Sequence, residues 1–113
     1  MAQQNEMQKE LSFVMLWLQK ISKGDTAFKK YIVKILEETK GFLKGNLNYY
    51  TIDRGYFHTI VFLIEITKWD DDLKKWIMEF DEEKATAEEY KALHASMEAY
   101  QQHLTVAQLH FAA

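Results

Sequence analysis

Tyr56-Phe57-His58-Thr59-Ile60-Val61-Phe62-Leu63-Ile64-Glu65-Ile66 is the stretch on which the fold turns. Its β-branched and aromatic residues favour a strand. A second run of that kind, Leu47-Asn48-Tyr49-Tyr50-Thr51-Ile52, precedes it across Asp53-Arg54-Gly55, a glycine-containing turn. Read so, residues 47–66 form a β-hairpin and the chain is α+β. Downstream, however, Phe62, Ile66, Trp69, Leu73, Trp76 and Phe80 follow one another at steps of 4 and 3 residues. A strand, with its period of two, does not generate that beat, whereas a helix turning every ~3.6 residues does. Helix is therefore the favoured reading, with the hairpin as the alternative.

Three further stretches carry the same beat. Met7, Leu11, Val14, Leu18 and Ile21 form the first, and Phe28, Ile32, Ile35, Thr39 and Phe42 the second. Tyr90, Leu93, Met97, Tyr100, Leu104 and Ala107 form the last. Four amphipathic stripes must bury one another, which predicts an all-α, antiparallel four-helix bundle in a single domain, residues 1–113. The expected helices span about 5–22, 26–44, 54–80 and 87–111. Capping-box spacing at Asn5/Gln8 and Thr86/Glu89, and simple caps at Asp25 and Asp53, mark their starts. Gly24 and Gly45 stand where helix ends need a left-handed residue. Asp70-Asp71-Asp72 either lines a solvated face of one long helix or caps a new helix after a kink at Trp69.

Composition agrees with a helical globular chain. Of 113 residues 48% are apolar and 27% charged, and proline, which breaks helix interiors, is absent. The longest apolar runs, Phe13–Leu18 and Ile60–Ile64, fall far short of the ~20 residues a membrane span needs. No secretory signal is visible in Met-Ala-Gln-Gln-Asn-Glu, and a cytoplasmic location without membrane association is expected. With no cysteine, disulfides, thiolate nucleophiles and Cys-ligated metals are excluded.

The net charge of −3 hides a division. Residues 1–54 carry nine Lys/Arg against six Asp/Glu, and residues 55–113 carry five against eleven. Lys23, Lys30, Lys34, Lys40 and Lys44 could make a basic face for nucleic-acid phosphates. The favoured reading is a solvated face, with Lys34 paired to Glu38 four residues on, because the chain is acidic overall and arginine is scarce.

No catalytic template fits. Ser12, Ser22 and Ser96 sit on no Gly-x-Ser-x-Gly elbow, and no glycine-rich phosphate loop exists. Glu-x-x-His, the di-iron bundle signature, does not occur. His94 with Glu98, and His103 with His110, share helix faces without enough further ligands, so no metal or cofactor is expected. Glu65, inside an apolar run, is the one carboxylate expected to be buried. With His94 it marks the place where a core metal or small-molecule site would lie. Its commoner role is to pair with a neighbouring base.

An apolar surplus remains. Phe13, Leu16 and Trp17 lie off the first stripe, and Tyr56, Phe57 and Val61 make the third helix greasy nearly all round. Such helices are either central or meet something outside their own bundle. Tyr49 and Tyr50 add aromatics of the kind enriched at interfaces. If the six off-stripe residues each bury on the order of 100 Å² in an assembly, the gross gain is ~15 kcal/mol against a ~4–15 kcal/mol cost of association. These features predict a non-enzymatic helical adaptor, inhibitor or regulator that binds a protein partner and forms a homodimer. Its basic half would face the acidic half of its mate. Nucleic-acid binding through the five lysines, and a small-molecule or metal site in the core, are the alternatives.

Overall fold

The computed structural model describes residues 2–48 and 50–101, the first four of these by backbone alone. Five α-helices follow in order: α1 (Ala2–Ser22), α2 (Lys29–Leu43), α3 (Phe57–Thr67), α4 (Asp71–Met78) and α5 (Ala87–Gln101), with a 3-10 turn at Arg54–Tyr56 before α3. The described residues contain no strand, so the hairpin alternative at 47–66 does not form. Its second half is instead the centre of the bundle. Every residue from Thr59 to Thr67 is buried, and α3 touches α1, α2, α4 and α5. β-Branched residues tolerate a helix when tertiary burial outweighs their modest propensity penalty.

The stripes read from the sequence are the core. Met7, Leu11, Val14, Leu18 and Ile21 of α1 are buried, as are Ile32, Ile35 and Thr39 of α2 and Tyr90, Leu93 and Met97 of α5. Leu104 and Ala107 of the last stripe lie outside the described residues. The stretch expected as one helix over 54–80 divides at Lys68–Asp70. The Asp70 carboxylate accepts from the Leu73 amide at 2.9 Å and starts α4, with Asp71 and Asp72 at its positive end. Trp69, counted on the stripe, falls in this break and is 69% exposed.

Other termini follow the sequence unevenly. Thr86 and Glu89 close a capping box, amide to side chain in both directions, at 2.9 and 3.2 Å. Asp53 caps the 3-10 turn through the Gly55 amide. Asp25 instead bonds the Ala27 amide in a turn, and α2 starts later than expected, at Lys29. The expected start at Asn5 lies inside α1, whose backbone is already helical from Ala2. Gly24 and Gly45, both at positive φ, end α1 and α2 with paired Schellman bonds: Gly24 to Ile21 and Asp25 to Lys20, then Gly45 to Phe42 and Asn46 to Gly41.

Long-range polar contacts tie the elements together. Lys34 pairs with Asp53 at 2.8 Å rather than with Glu38, because the connection brings Asp53 against α2. Glu38 turns instead to the Asp53 amide. Lys40 reaches the Phe80 carbonyl at 2.8 Å, closing the chain beyond α4. Two of the three buried threonines are satisfied locally, Thr39 on Ile35 and Thr67 on Ile64, while Thr59 donates to Glu10 of α1.

Tyr90 is an exception to this economy. It packs edge-on against Trp76 and Phe80, yet its buried hydroxyl has no hydrogen-bond partner among the described residues. Burial pushes the phenol up to about 12, and Glu82 and Glu89 add to the shift. A buried, unsatisfied hydroxyl costs about 1–3 kcal/mol. Tyr90→Phe is therefore expected to raise the urea midpoint with the slope unchanged. A lowered midpoint would mean that the hydroxyl has a partner.

Candidate functional site: the aromatic groove on the first helix

α1 turns its stripe inward and leaves Phe13 and Leu16 on its outer face, 49% and 46% exposed. One turn apart, they form an apolar ridge. Beside it Trp17 is half-buried at the hub of an aromatic cluster. It stacks on Phe13 at 6.4 Å and on Phe28 at 5.7 Å between ring centres. Tyr31 lies at 5.3 Å, and Tyr56 meets its edge at 6.4 Å. These rings come from α1, the start of α2 and the 3-10 turn, so three segments fix the geometry. Between α1 and that turn opens a groove of about 290 Å³, walled by Phe13, Val14, Trp17, Gly55 and Tyr56, with Glu6, Lys9 and Glu10 at its polar edge. Tyr56 sits deep enough that burial, then Tyr31 and Asp53, raises its phenol above the ordinary value.

Glu10 holds the groove's back wall. One carboxylate oxygen accepts both the amide and the hydroxyl of Thr59 at 2.5 Å, and the other lies 3.5 Å from His58 Nδ1. Tyr56, the residue before α3, offers no side-chain cap, so a carboxylate from α1 satisfies that helix start. Sequence reasoning missed Glu10 because its partner stands 49 residues away.

The structure sorts the predicted contact residues. Phe13, Trp17 and Tyr56 come together around the groove, whereas Leu16, one turn on from Phe13, is exposed outside its lining. Phe57 is half-buried, with Arg54 over its ring at 5.2 Å. Val61 is only 1% exposed and belongs to the core, a correction that follows from α3 being central rather than peripheral. Tyr50 is 89% exposed in the connection after α2, and Tyr49 lies outside the described residues.

The alternative sites fare differently. Of the basic face, Lys23, Lys30, Lys34 and Lys44 are exposed, with Lys34 paired to Asp53, while the half-buried Lys40 is engaged by the Phe80 carbonyl. Lys30 itself lies 5.2 Å over the Tyr31 ring. Glu65 is buried, at 5% exposure, and pairs with Lys68 at 2.7 Å, the ordinary fate of such a carboxylate. No group of three metal-ligating side chains occurs among the described residues; His103 and His110 lie outside them. Every buried or half-buried carboxylate among the described residues serves the architecture. Glu10, Asp53, Asp70 and Glu89 cap helices, Glu38 holds the Asp53 amide, and Glu65 pairs with Lys68.

Compared with protein-family models, curated proteins and solved structures, the chain has no match in any of the three. Geometry alone therefore carries the functional reading.

Two predictions follow from the caps. Glu10→Ala leaves the Thr59 amide and hydroxyl without their acceptor and is expected to cost about 1–3 kcal/mol in urea unfolding. An unchanged midpoint would show that α3 starts without help from α1. Hydrogen bonding to Lys34 and then to the Gly55 amide lowers the Asp53 carboxyl. Bonds from the Thr86 amide and the Trp76 indole lower Glu89. Because both folded values lie below the unfolded ones, their stabilisation is complete above about pH 5 and is lost as pH falls through the folded values. Chemical denaturation from pH 7 to pH 2 should show that acid loss, and Asp53→Asn with Glu89→Gln should flatten it.

Proposed function

We propose that this chain is a non-enzymatic helical interaction protein, an adaptor, inhibitor or regulator, that works in the cytoplasm and binds a protein partner through the outer face of α1. The supporting observation is the placement of Phe13 and Leu16. They are exposed on a helix whose inward stripe is buried, and Phe13 walls a groove whose rings, Trp17 and Tyr56, are backed by Phe28 and Tyr31 of the second helix. Interfaces draw their energy from such aromatic-walled pockets that accept an anchor residue, with neighbouring contacts excluding water.

The same face bears on self-association. Of the six residues that motivated a homodimer, Val61 is buried and Trp17, Tyr56 and Phe57 are half-buried within one chain. Phe13 and Leu16 together offer on the order of 200 Å², or about 5 kcal/mol, near the lower end of the association cost. A partner that adds its own anchor to the groove fits this area better than a second copy meeting ridge to ridge. Self-association is accordingly expected to be weak.

A photo-crosslinking residue at position 13, compared with one at the exposed Glu37, tests the reading in cells of the source. Position 13 should give a discrete adduct that position 37 does not. Phe13→Lys with Leu16→Lys should reduce partner binding at least tenfold while helical circular dichroism and the urea midpoint hold. Equal adducts from both positions, or binding untouched by the double variant, would defeat the proposal. Trp17 is unsuitable as a probe because its removal dismantles the aromatic cluster.

A further inference from the structure

A second groove lies away from the α1 ridge, between α4 and α5. It has a volume of about 280 Å³. Leu73, Leu93 and Ala92 give it an apolar floor, and Trp76 stands in its wall. Its polar margin is Asp70, Asp72, Glu89 and Ser96, so three carboxylates border it and no lysine or arginine does.

Two of those carboxylates are held in position. Asp70 is fixed on the Leu73 amide. Glu89 is fixed on the Thr86 amide and on the Trp76 indole, the latter at 2.8 Å. Asp72, exposed in the first turn of α4, completes the border. Each is an oxygen acceptor beside an apolar surface, an arrangement that suits one class of side chain. Lysine and arginine lay a methylene stem along apolar surface and carry a cationic head at its end. An anionic or purely apolar occupant would face three carboxylates instead.

The α5 side of the groove is low. Ala92 and Ser96 stand one turn apart and are small, so an incoming backbone can approach closely. Trp69, directly before Asp70 in the chain, is the second most exposed large apolar side chain among the described residues, after Tyr50. The acidic excess of residues 55–113 gives the same end of the sequence a field that draws cations.

We infer that the α4–α5 groove is a docking site for a basic peptide segment of another protein, its floor taking the aliphatic stem of a lysine or arginine and Asp70, Asp72 and Glu89 its charged head. This goes beyond the α1 reading and does not depend on it. With both surfaces in use, one chain could hold two partners at once, which is what an adaptor requires.

The probes are blocked tetrapeptides, Ac-Leu-Arg-Leu-Arg-NH2 and its acidic counterpart Ac-Leu-Glu-Leu-Glu-NH2, titrated into the 15N-labelled full chain at low salt. The basic peptide should shift the amides of Leu73, Ala92, Leu93 and Ser96 and the Trp76 indole, with the acidic one at least tenfold weaker. Ala92→Leu, which fills the groove, and Asp72→Lys, which reverses one border charge, should each weaken the basic peptide at least tenfold. Both positions are exposed, and an unchanged circular dichroism spectrum confirms the fold. Three results would each overturn the inference: shifts spread equally over Glu79–Glu83, equal binding of the two peptides, or binding unaffected by Ala92→Leu. Because Phe13→Lys leaves this groove untouched, failure here and failure of the α1 proposal are read separately.

Discussion

A helix with no solvent face organises this molecule. Nine consecutive residues of α3 are buried, and four other helices share the work of covering them. Burying nine of its eleven residues limits the water that reaches the helix, so its unpaired amides and carbonyls need partners from elsewhere. Glu10 meets the first need from α1, and turns onto Glu65 and Ile66 meet the second. Lys40 and Glu38 do similar work at the Phe80 carbonyl and the Asp53 amide. α1 is thus bound to the centre by directed polar contacts as well as by packing, and α2 is tied in the same way to the connections before α3 and after α4. Those contacts fix which side of α1 faces outward.

That orientation decides what remains for function. Once the inward stripe of α1 is spent on α3 and α5, Phe13 and Leu16 keep about half their surface in solvent, Phe13 with one ring contact to Trp17, and Trp17 is divided between the aromatic cluster and the groove. The half-buried carboxylates are used inside the fold, although Glu38 gives one oxygen to the Asp53 amide and keeps the other buried without a hydrogen-bond partner among the described residues. The two grooves differ in kind. One has aromatic walls with a mixed-charge edge, and the other has an aliphatic floor with an acidic border.

Helical periodicity made the buried faces legible in the sequence, because it reports which side of each element leaves water. Met7 to Ile21 and Ile32 to Thr39 needed nothing more. Gly24, Gly45 and the Thr86/Glu89 box were equally readable, since each acts within a few residues. The break at Trp69 was visible only as one of two options. Asp70 can cap or merely be solvated, and the choice depends on what α4 packs against. Non-local contacts left no mark. Nothing in the sequence pairs Glu10 with Thr59, Lys34 with Asp53 or Lys40 with the Phe80 carbonyl. For the same reason Phe13 and Leu16 were found while Val61 was misplaced: surplus apolar residues can be counted, but whether they face a neighbour or the solvent depends on topology.

The segment whose alternative reading is a strand acquires another meaning from its place at the centre. Ile60-Val61-Phe62-Leu63-Ile64 has no charge, no proline and no glycine, with side chains suited to the dry interdigitation of a cross-β spine. Held as a helix and walled in, it presents no open edge to another chain. The cover is cooperative, because Glu10 both belongs to the covering helix and completes the covered one. A fluctuation that lifts α1 would loosen α3 and expose the most adhesive stretch of the protein in the same event. For this architecture, resistance to fibril formation and attachment of the first helix are one property.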